Sequence, residues 1–206
     1  MRADVSCAED RGRAVQEALA GGPSTGLVKN VGIGVPNGAE HQTPQEFDLA
    51  VSLNLRCALQ CMQALLPGMR AAGFGRIVNM SSRAALGKEL RTAYSATKAG
   101  LIGMTRVWEL ELGAHGITAN AIGPGPIRTA LFDKANPPGA PRTQAIIDAV
   151  PVKRVGTPDD VAHAVAFLLD AKSGFITGQV LYVCGGMTLG VAGAGSYTPL
   201  TPPPNR

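Results

Sequence analysis

Short apolar segments alternate with amphipathic ones along almost the whole chain, and that alternation restricts the fold more than any other feature. LVKNVGIG (27–34), GRIVNMSS (75–82), ITANAIGPGP (117–126) and QVLYVCGG (179–186) are brief and apolar, and each runs into Gly, Pro or Ser. Strands that end in tight turns read this way. Between them lie segments of helical periodicity: 9–20, a long one from Thr43 to about residue 73, one from Thr92 to Leu112, and one opening at Thr157. Thr43-Pro44-Gln45-Glu46 and Thr157-Pro158-Asp159-Asp160 mark two of these starts. Each puts a capping hydroxyl, Pro at the first helical position and an acid three residues after the cap. Pro67 is expected to bend or end the long helix. Residues 128–150 mix Pro, Gly and charge and read as a mobile excursion, and GSYTPLTPPPNR reads as an extended or disordered tail.

Strands that alternate with helices predict an α/β fold: a parallel sheet built from βαβ units and covered by helices on both faces. The expected division is one domain over 1–190 and a Pro-rich tail over 191–206. A 45% apolar, 17% charged composition supplies a core for it. In such sheets ligands bind beyond the C-terminal ends of the strands. The polar and glycine-rich positions fall there: Asn30 and Gly32, Ser81 and Ser82, Pro124 and Gly125.

The net charge of +4 comes from scattered Lys and Arg with no run of three, and only 4% of residues are aromatic. This argues against a nucleic-acid partner. Cys57 and Cys61 share a helix face at i,i+4, but no Cys/His set has metal-ligand spacing, so no metal is expected and buried free thiols are. Free thiols fit a reducing cytoplasm. The polar start MRADVSCAEDRGR does not read as a signal peptide, and no apolar run is expected to cross a membrane.

Tyr94-Ser-Ala-Thr-Lys98 places a phenol and an ammonium one helical turn apart on one face. A cation there stabilises a phenolate, which lets a tyrosine exchange a proton with an alcohol or carbonyl oxygen. The bland reading is a surface helix pair. Ser82, twelve residues earlier at a strand end, is placed either to hydrogen-bond a substrate oxygen or to cap that end, and Ser81 reads as the cap. Asn54 lies mid-helix among apolar neighbours, where Asn is a poor helix former. It implies a buried hydrogen bond or bound water near the site, unless it faces outward.

LVKNVGI, the Asn of SLNLR, GRIVNMSS, YSATK, ITANAIGPGPIRT and GFITGQVLYVCGG occur in the order of short-chain dehydrogenases/reductases, and the chain resembles that family from about residue 3 to 190. Within it the similarity is greatest to enzymes of the 3-oxoacyl-acyl-carrier-protein reductase type. The resemblance implies a Rossmann-like, doubly wound sheet, NAD or NADP as cofactor, and a carbonyl or secondary-alcohol substrate. Tyr94 would be the proton donor and acceptor, Lys98 would bind the nicotinamide ribose, Ser82 would orient the substrate oxygen, and Asn54 would hold a relay water. Asn30 and Gly32 match the cofactor-ribose segment. Pro124, Gly125, Ile127 and Thr129 match the nicotinamide loop, and the Asp4-Val5 pair matches an adenine contact. Residues 130–150 match a substrate lid, where Arg142 suits an anionic or carrier-linked substrate. The resemblance also implies a homodimer or homotetramer formed through helices over 44–70 and 92–112.

Three departures stand out. Lys29 replaces a family Asn, and Val31 a family Ala. The third is the opening strand, glycine-rich turn and helix that receive a pyrophosphate: no such segment is found, and Gly32-Ile33-Gly34 is followed by a loop, not a helix. The expectation is therefore a sheet that lacks its first strands, with the strand at 27–31 as an exposed edge and residues 1–6 without a sheet partner. The alternative to an enzyme is a non-catalytic subunit that keeps the oligomerisation surfaces and binds cofactor poorly.

Overall fold

The computed structural model describes residues 3–188. Four strands, β1 (Gly26–Lys29), β2 (Gly75–Met80), β3 (Ile117–Pro124) and β4 (Val180–Val183), form one parallel sheet in the order β1-β2-β3-β4. All of β2 is buried, and so is β3 up to Gly123. These are the continuous apolar runs expected of central parallel strands. Successive residues point to opposite faces. Ile77, Ile117 and Ala119 pack under helices α3 (Cys57–Ala72) and α4 (Thr92–Leu112) through Met62, Leu65, Met69, Leu101 and Trp108. Val78, Met80 and Ile122 meet Ala164 and Leu168 of α7 (Pro158–Leu169) on the other face. Helix α1 (Ala8–Ala20) packs against α3.

Both Thr-Pro starts are capping boxes, at α2 (Pro44–Val51) and at α7. Pro67 does not end its helix. The carbonyl it would orphan, that of Gln63, lies on the exposed side, where water can satisfy it. The helix stops six residues later at Gly73, in the left-handed conformation (φ 59°), whose N–H bonds Arg70 O and Met69 O. From Pro44 to Ala72 the chain is helical for 29 residues, and an 18-residue stretch within it has a mean hydropathy of 1.3, so one segment is long and apolar enough to cross a membrane by length and composition. That corrects the expectation of none. Its contacts with β2 and α4 make it a core helix of the α/β layer.

The excursion at 128–150 is also corrected. It holds α5 (Ala130–Ala135), capped by Thr129, and α6 (Pro141–Ala149), with Pro at its start. Residues 3–6 form no strand, and β1 is an edge whose Val28 is 40% exposed. The strands are shorter than the apolar runs that announce them, because their last residues turn away into the site. The Pro-rich tail lies outside the described residues.

Candidate active site

Because the sheet is parallel, the C-terminal ends of its strands share one edge. The helix that begins at α2 opens there into a π-helical turn, Ser52–Arg56, with Asn54 at its centre. Such turns accommodate one extra residue and break the regular ladder. Asn54 is fully buried. Its Oδ1 accepts the Ile33 N–H (2.8 Å), and its Nδ2 donates to Ile33 O (2.9 Å) and Thr97 Oγ1 (2.8 Å). Thr97 in turn donates to Tyr94 O (2.9 Å). One amide thus joins the loop after β1, the π turn and α4. This settles the mid-helix Asn as a buried hydrogen-bonding group rather than an outward-facing one.

Lys98 is buried, and its Nζ donates to Met80 O at the end of β2 (2.7 Å). Burial, reinforced by the nearby Lys29 ammonium, pulls its pKa down to about 8. Its Nζ lies 5.5 Å from the centroid of the Tyr94 ring, so the two groups do converge. Ser81 donates to Lys98 O (2.7 Å), tying β2 to α4, and is the structural serine. Ser82 Oγ accepts the Ala84 N–H (3.0 Å) and keeps its own proton to donate.

Two glycines make room for this group. A Cβ on Gly34 would lie 2.9 Å from the Tyr94 ring. One on Gly32 would lie 3.0 Å from Lys98 Nζ and 3.2 Å from Asn54 Oδ1. Gly32 is therefore beside Lys98 and Asn54, and Asn30 is exposed two residues before it. Pro124 closes β3 opposite Val183, Gly125 N–H bonds Val183 O (2.9 Å), and Ile127 bridges to Gly156. Thr129 Oγ1 accepts the Phe132 N–H. These four sit at the same edge of the sheet as the ends of β1 and β2. Asp4 and Val5 lie instead in the turn before α1. Asp4 accepts from Ser6 N–H and Oγ, and its own N–H bonds Asp10.

Lys29, noted in sequence only as a departure, is 4% exposed and donates to Val31 O (2.9 Å) and Leu53 O (3.3 Å). It spans from β1 to the π turn next to Asn54. Thr97, Gly34 and Lys29 were not singled out as site residues. Thr97 had a signal: a buried hydroxyl one turn after Tyr94 and just before Lys98.

A family model described as enoyl-(acyl carrier protein) reductase matches residues 1–188. A (2S)-[(R)-hydroxy(phenyl)methyl]succinyl-CoA dehydrogenase subunit of Thauera aromatica is 41% identical over 163 residues, 79% of this chain and 64% of that one. A 3-oxoacyl-[acyl-carrier-protein] reductase of Rickettsia prowazekii is 38% identical over 164 residues, 79% and 67% of the two. The chain thus spans about two thirds of the length of these relatives. Among solved structures, a gluconate 5-dehydrogenase from Burkholderia cenocepacia in complex with NADP and tartrate superposes with a TM-score of 0.84 at 29% identity. The match covers 91% of this chain and 74% of that one. A blue fluorescent protein from a metagenomic library, in complex with NADPH, gives 0.81 at 34% identity, over 90% and 74%.

Proposed function

Since this chain belongs to the short-chain dehydrogenase/reductase family, we propose that it transfers a hydride between NAD(H) or NADP(H) and a ketone or secondary alcohol. The observation that carries this reading is the buried Lys98 ammonium beside Tyr94, with Asn54 and Gly32 closing the same space at the strand ends. A surface helix pair does not bury its cation.

The residues beside Lys98 fit the nicotinamide-ribose end of a dinucleotide. Lys98 has three N–H donors and spends one on Met80 O. Gly32 leaves the others free to face ribose hydroxyls. Asn30, Gly32, Tyr94 and Lys98 would hold the nicotinamide ribose; Pro124, Gly125, Ile127 and Thr129 the nicotinamide; Asp4 and Val5 the adenine. The bound nicotinamide supplies or accepts the hydride. Tyr94 gives its hydroxyl proton to the carbonyl oxygen in reduction and takes it back in oxidation. The Lys98 ammonium stabilises the phenolate left behind. Ser82, with its acceptor side bonded to Ala84 and its proton free, orients the substrate oxygen. Asn54 holds a water through which the Lys98 end of the site is resupplied with protons.

The substrate is a 3-oxoacyl thioester or a similar ketone with an anionic handle. Arg83, Lys88 and Arg91 lie in the segment between Ser82 and Tyr94, and Arg142 opens α6. Burial holds the Lys88 pKa down, with Arg91, Arg83 and Arg142 adding to the effect. None of the four is ion-paired with a carboxylate among the described residues. A rim of uncompensated cations favours a carboxylate or phosphate. The relatives named for CoA and carrier-protein substrates, and the neighbour holding tartrate, agree with this chemistry. The exposed apolar face of α4 supports a homodimer or homotetramer, and the free thiols a cytoplasmic setting.

Nicotinamide fluorescence on titration with NADPH and NADH tests the first half of the reading, and turnover of a 3-oxoacyl thioester the second. Tyr94→Phe should leave binding intact and lower kcat by at least about 100-fold, the scale of a lost general acid. Full turnover in that variant would rule out Tyr94. Absence of any cofactor binding would favour the non-catalytic subunit instead.

A further inference from the structure

The loop after β1 and the start of α3 hold a second chemical group that the dehydrogenase reading does not use. Cys57 begins α3 directly after the π turn, and Cys61 follows one helical turn later. Their sulfurs are 4.0 Å apart. Cys57 is 1% exposed and Cys61 half-buried, so access is from the Cys61 side. The buried Lys29 ammonium faces them from β1. Two of its three hydrogens go to Val31 O and Leu53 O, and Cys57 takes part in a further hydrogen bond with it.

Apolar packing would not bring an ammonium to a pair of thiols. A buried cation without a counter-charge is costly. No carboxylate is ion-paired with Lys29 among the described residues. We propose that Cys57 and Cys61, backed by Lys29, form a dithiol site for thiophilic electrophiles of the trivalent arsenical class.

The electrostatics agree. The hydrogen bond from Cys61, helped by the charges of Lys29 and of Arg11 on α1, brings the Cys57 pKa down to about 6 against the opposing effect of burial. The same bond, together with burial, pushes Cys61 up. Near neutral pH the pair holds one proton between two sulfurs. One sulfur is then an ionised nucleophile, and its neighbour is one helical turn away for the second bond.

With phenylarsine oxide, two As–S bonds form and the As–O bond breaks. The oxygen leaves as water with two protons, one from Cys61 and one that replaces the proton Cys57 has already lost to solvent. Arsenic remains trivalent, so no oxidant or reductant is needed. Neutralising the sulfur removes the counter-charge of Lys29, which also holds the carbonyls of Val31 and Leu53 beside Gly32 and Asn54. Modification is thereby coupled to the wall of the active site.

The test treats the reduced, native 206-residue chain with one equivalent of phenylarsine oxide at pH 7, followed by intact mass, thiol titration and tryptic mapping. The expected result is one arsenic per chain and a loss of two titratable thiols out of four. The arsenic should map to the peptide from Cys57 to Arg70, which contains both cysteines and no other. Lys29→Met should slow the reaction several-fold at pH 7, with the difference vanishing at pH 9.5. Mapping in the unsubstituted protein does not depend on any variant folding. An adduct at Cys7 or Cys184, or one that forms only after denaturation in guanidinium, overturns the proposal. So does an unchanged rate in a folded Lys29→Met chain. None of these readouts needs turnover, so they stand apart from the proposed dehydrogenase activity.

Discussion

Lys98 keeps its amine in a place where burial disfavours the charged form, and this has a consequence measurable without cofactor. Its folded pKa is about 8, against 10.5 in the open chain. Between these values the unfolded chain binds a proton that the folded chain does not, so this group makes the fold more stable as pH rises from about 8 to 10.5. Below pH 8 the full cost of burying the charge is present, on the order of 3 kcal/mol at 1.36 kcal/mol per unit. Urea unfolding of the native chain and of Lys98→Met across pH 7–10.5 should give a stability gap that shifts toward the native chain with rising pH. A constant gap would show that Lys98 does not titrate in this range. Asn54 offers a second measurement. Asn54→Leu leaves the Ile33 N–H and C=O and the Thr97 hydroxyl without their partner, and should cost about 3 kcal/mol in the same assay at the unit costs of unsatisfied polar groups. Tyr94, Lys98, Ser82 and Asn54 were legible because each is an unusual residue at an informative offset. Gly34 and Lys29 were not, since what matters about them is the approach of a ring or a sulfur from a segment distant in sequence.

The elements show the same division. Caps and stops are local chemistry, so both Thr-Pro helix starts were readable from four residues each. The stop at Gly73 allows a clean test. Its φ is 59°, and a Cβ there meets nothing within 4 Å. Gly73→Ala should therefore cost only the left-handed backbone strain, about 1 kcal/mol, read as a lower urea midpoint at unchanged m-value. The π turn at Ser52–Arg56 was not readable, because SLNLR is as compatible with a regular helical turn as with a widened one. Nor were α5 and α6, whose short length and mixed composition carry little periodic signal. Their ends are held by Thr129 and Pro141 instead.

For the whole molecule, the alternation of strand and helix runs was enough to anticipate a parallel sheet, while the place of β1 at its edge came from the family resemblance and its strand order. How copies of the chain meet depends on surface that periodicity does not report. Leu110 is 79% exposed, with Val107 one turn before it on α4. Association through α4, as proposed above, would cover both. If the homo-oligomer forms through α4, Leu110→Glu should shift the chain to monomer in sedimentation equilibrium at micromolar concentration, with its circular dichroism unchanged. An undiminished oligomer would place the interface elsewhere.

The strand order β1-β2-β3-β4 has one more consequence. Neighbours in the sheet are also neighbours along the chain, so no described strand has to slip between two that are already paired. As the polypeptide leaves the ribosome, each new strand can dock on the free side of the one made before it, with its crossover helix following. Synthesis and assembly of this part of the sheet can proceed in the same direction. Among the described strands, none needs a late insertion between two neighbours that have already paired.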